Sequence, residues 1–452
     1  MALATKRVLF VIRAVEHYPY FRSIVEALVG RGHQVRVLFD RTWSMQTSFD
    51  VNHSNVKGVI FDWAVDYRGQ LRKVVFRLRD LASYVRYLKI QGQSSFYQDR
   101  WRKMLFGPFQ VLLQIPGVNF FLTTNFSAKL LTFLEKITPP VGEVVGDIEC
   151  FAPNVVVASP VNMPYSSADL EYLKAAKSIG IPSALPVFSW DNLTTKGLIH
   201  IAPDVLLVWN QRQVSEAWKH HQISKKLIKV CGAFLFDFWF DNLGPSQTRE
   251  AFCKKWSLPV NKPILCYLET SNSLTGDERW LVKELSFNLK NSHDLRLKTT
   301  QIIVRPHPFK SYFDNFKLPN VYVIPERGTW PKDRESIQLY FDTLYFSFAV
   351  FGVNTSGFID AVCCDKPIVT LNLKEYEKTQ VETEHFRHLV ENDVVEIANS
   401  RQDLTKILGK LLVGGDRRGL QRRRFVEKFI RPNGLEKAAG EVAAREIEKI
   451  AS

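Results

Sequence analysis

Short apolar runs, each closed by a polar or glycine-bearing loop, recur along the chain and constrain its fold more than any other feature. "VLFVI" (8–12), "VRVLF" (35–39), "NVVVASP" (154–160) and "VLLVWN" (205–210) are too brief for helices. Apart from Arg36, their apolar residues are consecutive rather than alternating, the pattern of strands buried on both faces of a parallel sheet. Helical spacing of apolar residues follows at 20–29, stopped by Gly30 and Gly32, and at 168–179, closed by Gly180. Strand, helix and strand joined by short crossovers make the βαβ unit of a doubly wound α/β sheet.

The pattern repeats after a change of composition at "DNLGPSQTRE" (241–250). Strand-like runs lie at 262–270, 301–308, 321–325, 348–355 and 366–372, with helices near 277–290 and from Ser356. A chain of 452 residues is long enough for two such cores. The reading is an N-terminal Rossmann-like domain over 1–240 and a C-terminal one over 241–430. A helix over 431–452 packs back on the first domain. Residues 68–140 break the rhythm and predict a helical insertion in the first domain. Ligands of such sheets bind beyond the carboxyl ends of the strands.

Net charge is +14, which points to an anionic partner. Arg68, Arg72, Lys73, Arg77, Arg79, Arg86, Lys89, Arg100, Arg102 and Lys103 precede the apolar, proline-broken stretch "MLFGPFQVLLQIPGVNFF". Basic helices beside such a stretch suit the edge of an anionic bilayer. The arginines at 417–424 read as a solvated helix face. No RNA-binding motif interleaves cations with aromatics, so no nucleic-acid partner is expected. No apolar run reaches the roughly 18 residues of a spanning helix. The six cysteines lack metal-ligand spacing. A reduced cytoplasmic protein, peripheral on the inner face of the membrane, is the expectation.

Two stretches of the second domain promise chemistry. In "IIVRPHPF" (302–309) a buried strand ends in Arg305 and a histidine held between two prolines. Proline fixes φ and removes a donor on each side, so His307 projects beyond the sheet edge in a set direction. In "FGVNTSGFIDAV" (351–362) a strand turns into a helix through Thr355, Ser356 and Gly357. The free N–H groups of a helix start favour an anion; a hydroxyl adds a donor, and glycine admits a phosphate to the backbone. Neither stretch matches a Walker or GxGxxG pattern.

His307-Pro308 and the Ser356 turn, with Lys366-Pro367 following, resemble the GT-B glycosyltransferase superfamily, nearest to its branch of CDP-glycerol glycerophosphotransferases, bacterial polysialyltransferases and Kdo transferases. The resemblance implies two Rossmann-like domains facing a cleft, with His307 and Ser356 binding a nucleotide donor's phosphate. "SWDNLTTKG" (189–197) and "RPNG" (431–434) are similar to uncharacterised bacterial proteins of this architecture.

The first domain should then hold the acceptor and the base. His17 follows the first strand and suits proton abstraction from a hydroxyl, with Glu16 as an alternative base or its orienting partner. Asp191 is the other candidate, beside Lys196, which would meet a phosphate. Thr270, Ser271 and Asn272 follow the first strand of the second domain and suit a leaving phosphate or the base. Glu278 reads as a helix-dipole partner, and Glu382 and Glu384 suit sugar or ribose hydroxyls. Helix dipoles and basic side chains are expected to stabilise the leaving diphosphate, so neither a metal nor a cofactor is predicted. The expected partners are a nucleotide-sugar donor and a surface-glycan or lipid-linked acceptor. Competing readings are a nucleotide-sugar 2-epimerase, a CDP-glycerol-type glycerophosphotransferase and a non-catalytic nucleotide-binding protein.

Overall fold

A computed structural model describes residues 4–45, 58–68, 70–90, 94–241, 244–329, 331 and 333–451. Asn242 and Leu243 of the expected domain junction, and Gly69 and residues 91–93 of the insertion, lie outside them. The chain forms two units, one of residues 1–241 with 427–452 and one of residues 242–426.

In the first unit the apolar runs form a parallel sheet. Its strands are β1 (Arg7–Ile12), β2 (Gln34–Phe39), β3 (Val59–Trp63), β4 (Val155–Ser159), β5 (Ser183–Pro186), β6 (Val205–Val208) and β7 (Ile228–Val230). Their order is β3-β2-β1-β4-β5-β6-β7. Helix α1 (Tyr18–Gly30) crosses from β1 to β2 and takes Pro19 into its first turn, where a missing N–H is harmless. β3 was not foreseen: it is an edge strand, half-exposed throughout and interrupted by Asp62, so it lacks a consecutive buried run.

Between β3 and β4 lie α2 (Gln70–Lys89), α3 (Ser95–Met104), α4 (Gly107–Leu112), α5 (Val118–Thr123), α6 (Asn125–Ile137) and α7 (Gly142–Phe151). α8 (Ala168–Ser178) follows β4. The placement of the α2 cations corrects part of the membrane reading. Arg72, Arg79 and Arg86 are seven residues apart, on one helix face, and all three are buried. Arg79 is ion-paired with Glu135 at 2.8 Å and Glu171 at 2.5 Å, and Arg72 lies 3.4 Å from Glu171. The Arg86 guanidinium donates to the carbonyls of Leu193 and Lys196. Carboxylates and carbonyls replace the water that these arginines lose in the interior. The arginines are not available to a lipid surface.

The last helix, Ala439–Ile450, packs along α1 in the first unit. The buried Asp237 carboxylate accepts from the N–H groups of Ala439 and Gly440 and pairs with Arg431 at 3.0 Å. Glu448 near its other end accepts from Arg31 and lies 2.6 Å from His33.

The second unit has a parallel sheet of β8 (Ile264–Leu268), β9 (Gln301–Arg305), β10 (Val321–Val323), β11 (Ala349–Gly352), β12 (Ile368–Leu371) and β13 (Val395–Ala398). The order is β10-β9-β8-β11-β12-β13, so the connection reverses direction between β8 and β11. Ligands of open α/β sheets bind at such a switch point. The arginines at 417–424 include two ion-pair anchors: Arg418 meets Asp393 and Glu396, and Arg422 meets Asp365 and Asp416.

Candidate functional site

The loops after β8, β9 and β11 leave the second sheet together and are tied to one another. β9 ends at Arg305 because Pro306 and Pro308 offer no N–H to a ladder. Glu269, the first residue past β8, then organises the loop: its carboxylate accepts from His307 N at 2.7 Å, Ser311 Oγ at 2.5 Å and Tyr312 N at 3.0 Å. Burial raises the Glu269 pKa, opposed by those bonds. A side chain at Gly328 would strike the His307 carbonyl oxygen, so only glycine fits against this loop. The prolines set the direction of His307, and a buried carboxylate and an apposed glycine hold the loop in place.

The neighbouring loops are joined as well. Asn354 N donates to Thr270 Oγ1 at 3.3 Å, and Asn354 Nδ2 donates to the Thr379 carbonyl at 2.5 Å and lies 3.3 Å from His385 Nε2. Thr355 caps the following helix, Gly357–Cys363, its hydroxyl accepting from Gly357 N at 3.2 Å. Ser356 is exposed on helical backbone, φ −60° and ψ −24°, and makes no cap bond. The space a Gly357 side chain would need holds Leu268 Cδ1 and the Tyr340 hydroxyl, so the glycine answers to internal packing. Glu384 opens the helix Glu384–Glu391, next to His385.

Several buried polar atoms at this sheet edge have no hydrogen-bond partner among the described residues: Arg305 Nη1, both amide atoms of Asn272, and Glu278 Oε1. Buried polar atoms in native proteins are rarely left so. The other Glu278 oxygen accepts from the Tyr267 hydroxyl at 2.8 Å and from Thr270 N at 3.0 Å, so this residue is more than a dipole partner. Burial lowers the Arg305 pKa, and its guanidinium lies 4.9 Å from the Tyr340 ring centre. Tyr340 in turn donates to Asp360 at 3.0 Å, whose pKa burial pushes up to about 7. His307 is shifted down by burial and is neutral at physiological pH. Ser271 is 3.0 Å from Ser273, hydroxyl to hydroxyl.

In the first unit, His17 caps α1 and lies 4.7 Å from the Phe188 ring, which stacks on Tyr20 at 4.4 Å. Burial, then the charges of Arg13 and Lys196, hold its pKa down to about 3. His17 is therefore a neutral imidazole, and its Nδ1 is buried with no hydrogen-bond partner among the described residues. Glu16 is buried and accepts from Met45 N at 3.0 Å. The Asp191 carboxylate accepts from Ser189 Oγ at 2.5 Å, Thr195 Oγ1 at 2.7 Å and Lys196 Nζ at 3.1 Å. Its ordinary partners are thus filled, and it fixes Lys196. The insertion pins the same loop from beneath: Tyr87 donates to the carbonyls of Thr194 and Lys196, and Arg86 joins it.

Sequence reasoning passed over Glu269, Asn354, Tyr340, Asp360 and His385. Glu269 carried a usable signal, an acid at the end of the run "ILCYLE". Asp360 carried another, an acid inside "GFIDAV". The amide of Asn354 acquires its meaning only from Thr379 and His385, which are distant in sequence.

No protein-family model matches the sequence, and no curated protein sequence matches it. Solved structures do. A putative UDP-N-acetylglucosamine 2-epimerase from Listeria monocytogenes aligns with a TM-score of 0.56 at 10% identity, over 98% of this chain and 95% of that one. A glycosyltransferase from Rickettsia africae gives 0.54 at 11% identity, over 99% of each chain. The UDP-N-acetylglucosamine 2-epimerase of Neisseria meningitidis, bound to UDP-N-acetylglucosamine, gives 0.54 at 11% identity, over 98% of this chain and 100% of that one. At such identities the likeness establishes architecture: this chain has the two-domain GT-B fold of glycosyltransferases and nucleotide-sugar epimerases.

Proposed function

We propose that this protein is a glycosyltransferase that moves a sugar from a nucleotide-activated donor to a hydroxyl of a surface-glycan or lipid-linked acceptor. The observation that carries the reading is the second sheet's switch-point edge. There a rigid loop displays His307, and Arg305 Nη1 and the Asn272 amide have no partner among the described residues. A nucleoside diphosphate offers the acceptor oxygens that such donors need. The donor phosphates are assigned to Arg305, His307 and the Thr355–Gly357 turn, and the nucleoside's hydroxyls to Glu384.

His17 is assigned as base in the first unit, with Lys196 as a phosphate contact held by Asp191. The acceptor hydroxyl gives its proton to the imidazole. Its oxygen bonds to the anomeric carbon, and the bond from that carbon to the donor's phosphate oxygen breaks. Because the leaving charge is assigned to protein cations, turnover should survive a chelator of divalent ions.

A second reading, 2-epimerisation of a nucleotide sugar, is favoured by whole-length matches to proteins bound to UDP-N-acetylglucosamine. Against it, the carboxylates at the first sheet's edge are engaged: Glu16 with Met45 N, Asp40 with the Tyr67 hydroxyl and Ala168 N, and Asp191 as above. One neutral imidazole suits a single proton transfer from a hydroxyl better than removal and return of a carbon-bound proton.

The test begins with thermal shifts in CMP, CDP, UDP, GDP and ADP, for wild type and for His307→Ala with Ser356→Ala. A nucleotide at about 100 times its Kd stabilises by roughly 2.7 kcal/mol. One nucleotide shifting wild type alone supports the donor site and names its class. No shift from any of them overturns the reading. Product analysis with UDP-N-acetylglucosamine and no acceptor then separates the two enzymes, because an epimer would replace the transferase.

A further inference from the structure

Helices α4, α5 and α6 turn large apolar side chains outward. Phe120 is 79% exposed and Phe126 64%, with Val111, Ile115, Phe121 and Phe133 also on the surface. Such a patch is unusual on a soluble monomer and marks an interaction surface. On α6 the exposed residues keep strict helical spacing: Phe126, Leu130, Phe133 and Ile137 form one stripe. Lys129 and Lys136 run along its flank, about 70° round the axis. The opposite face packs toward α2, where Glu135 is tied to Arg79 and Lys174. Glu135 is the single acidic residue between Arg100 and Pro140, so the outward face carries cations and no exposed acid.

We propose that the α4–α6 face is the surface through which this protein binds an anionic lipid bilayer, its phenylalanines at the acyl boundary and Lys129 and Lys136 at the phosphates. Charge selects this occupant over a second copy of the chain. A two-fold contact would set the patch against itself, lysine row against lysine row, with no carboxylate to pair them. A bilayer with anionic headgroups takes the apolar stripe and the cations together. The proposal concerns this surface and stands whichever reaction the protein catalyses.

The test is sedimentation with vesicles of phosphatidylcholine alone and with about one third phosphatidylglycerol, at low and raised salt. Wild type should bind the anionic vesicles and weaken with salt. Phe120→Ser with Phe126→Ser and Phe133→Ser should bind at least about tenfold more weakly. Its melting midpoint should be unchanged, because these side chains contact little protein. Lys129→Gln with Lys136→Gln should lose roughly tenfold, on anionic vesicles only. Wild type that binds neither vesicle, or a triple phenylalanine variant that binds like wild type, overturns the proposal. So does a lipid-free dimer that the phenylalanine changes abolish, which would assign the face to a second copy.

Discussion

The polar edges of the two sheets are built from similar residues and finished differently. At the first sheet's edge Glu16, Asp40 and Asp191 are closed by backbone N–H groups, hydroxyls and Lys196. At the second, Arg305, Asn272 and Glu278 keep atoms with no partner among the described residues. On the reading proposed above, the contrast separates an edge whose carboxylates are already satisfied from one that would gain by taking a ligand, because a buried donor without an acceptor is costly until something supplies one. Two side-chain atoms at the first edge, Asn192 Oδ1 and His17 Nδ1, are also buried without a partner among the described residues, and His17 is the titratable exception, a neutral imidazole.

That exception yields the largest expected effect. His17→Ala should lower kcat by about two to four orders of magnitude while leaving the nucleotide-induced thermal shift intact. A loss of both would erase the distinction between the edges. Because burial holds the wild-type imidazole down to about 3, kcat/KM should show no histidine limb between pH 5 and 7.

Arg305→Met comes next. The Kd for the nucleoside diphosphate should rise about a hundredfold. The free protein should melt no earlier than wild type, since the change removes a buried charge without an ionic partner and keeps its bulk. An early melt without loss of binding would make Arg305 structural, like Arg79.

Glu269→Gln should weaken binding roughly tenfold and destabilise by about 1–2 kcal/mol, because a charged acceptor serving two backbone N–H groups becomes a neutral one. Titration calorimetry and denaturant melts separate the two effects.

The smallest effect lies behind the ligand edge. The pKa of Asp360 is raised to about 7 in the folded state, above its unfolded value, so the folded protein holds the extra proton. Its contribution to stability is present below the unfolded pKa and lost as pH rises through 7. Asp360→Asn should flatten this slope, melting a few degrees above wild type at pH 8.5 and level with it only near pH 3, where the carboxyl is protonated in both states. A slope unchanged by the substitution would place the titration elsewhere.

Much of the architecture was legible because a strand buried on both faces declares itself locally. "VLFVI" and "QIIVR" need no partner in view to be read. β13 escaped for the reason β3 did: Glu396 interrupts it at a sheet edge, where one flank needs no covering. Within the site, the spacing of Arg305, His307 and the Thr355 turn was visible, since prolines and glycines act on their own neighbours. The hand that steadies them was not, because Glu269 lies 38 residues from the His307 N–H it accepts from.

By itself, then, the sequence determined that the chain folds as two parallel-sheet units, with its chemistry-bearing loops at the carboxyl ends of their strands. Both follow from apolar runs and backbone-restricting residues that act over a few positions. The tertiary structure alone decided which charges are spent inside and which buried polar atoms have no partner among the described residues. Arg72, Arg79 and Arg86 look in sequence like a basic surface. Arg72 and Arg79 became interior ties because Glu171, 92 residues beyond Arg79, arrives opposite them, Arg86 because the carbonyls of Leu193 and Lys196 do, and α4–α6 kept the outward face. A charge's fate depends on the partner that replaces its water, and only the folded chain brings that partner within reach.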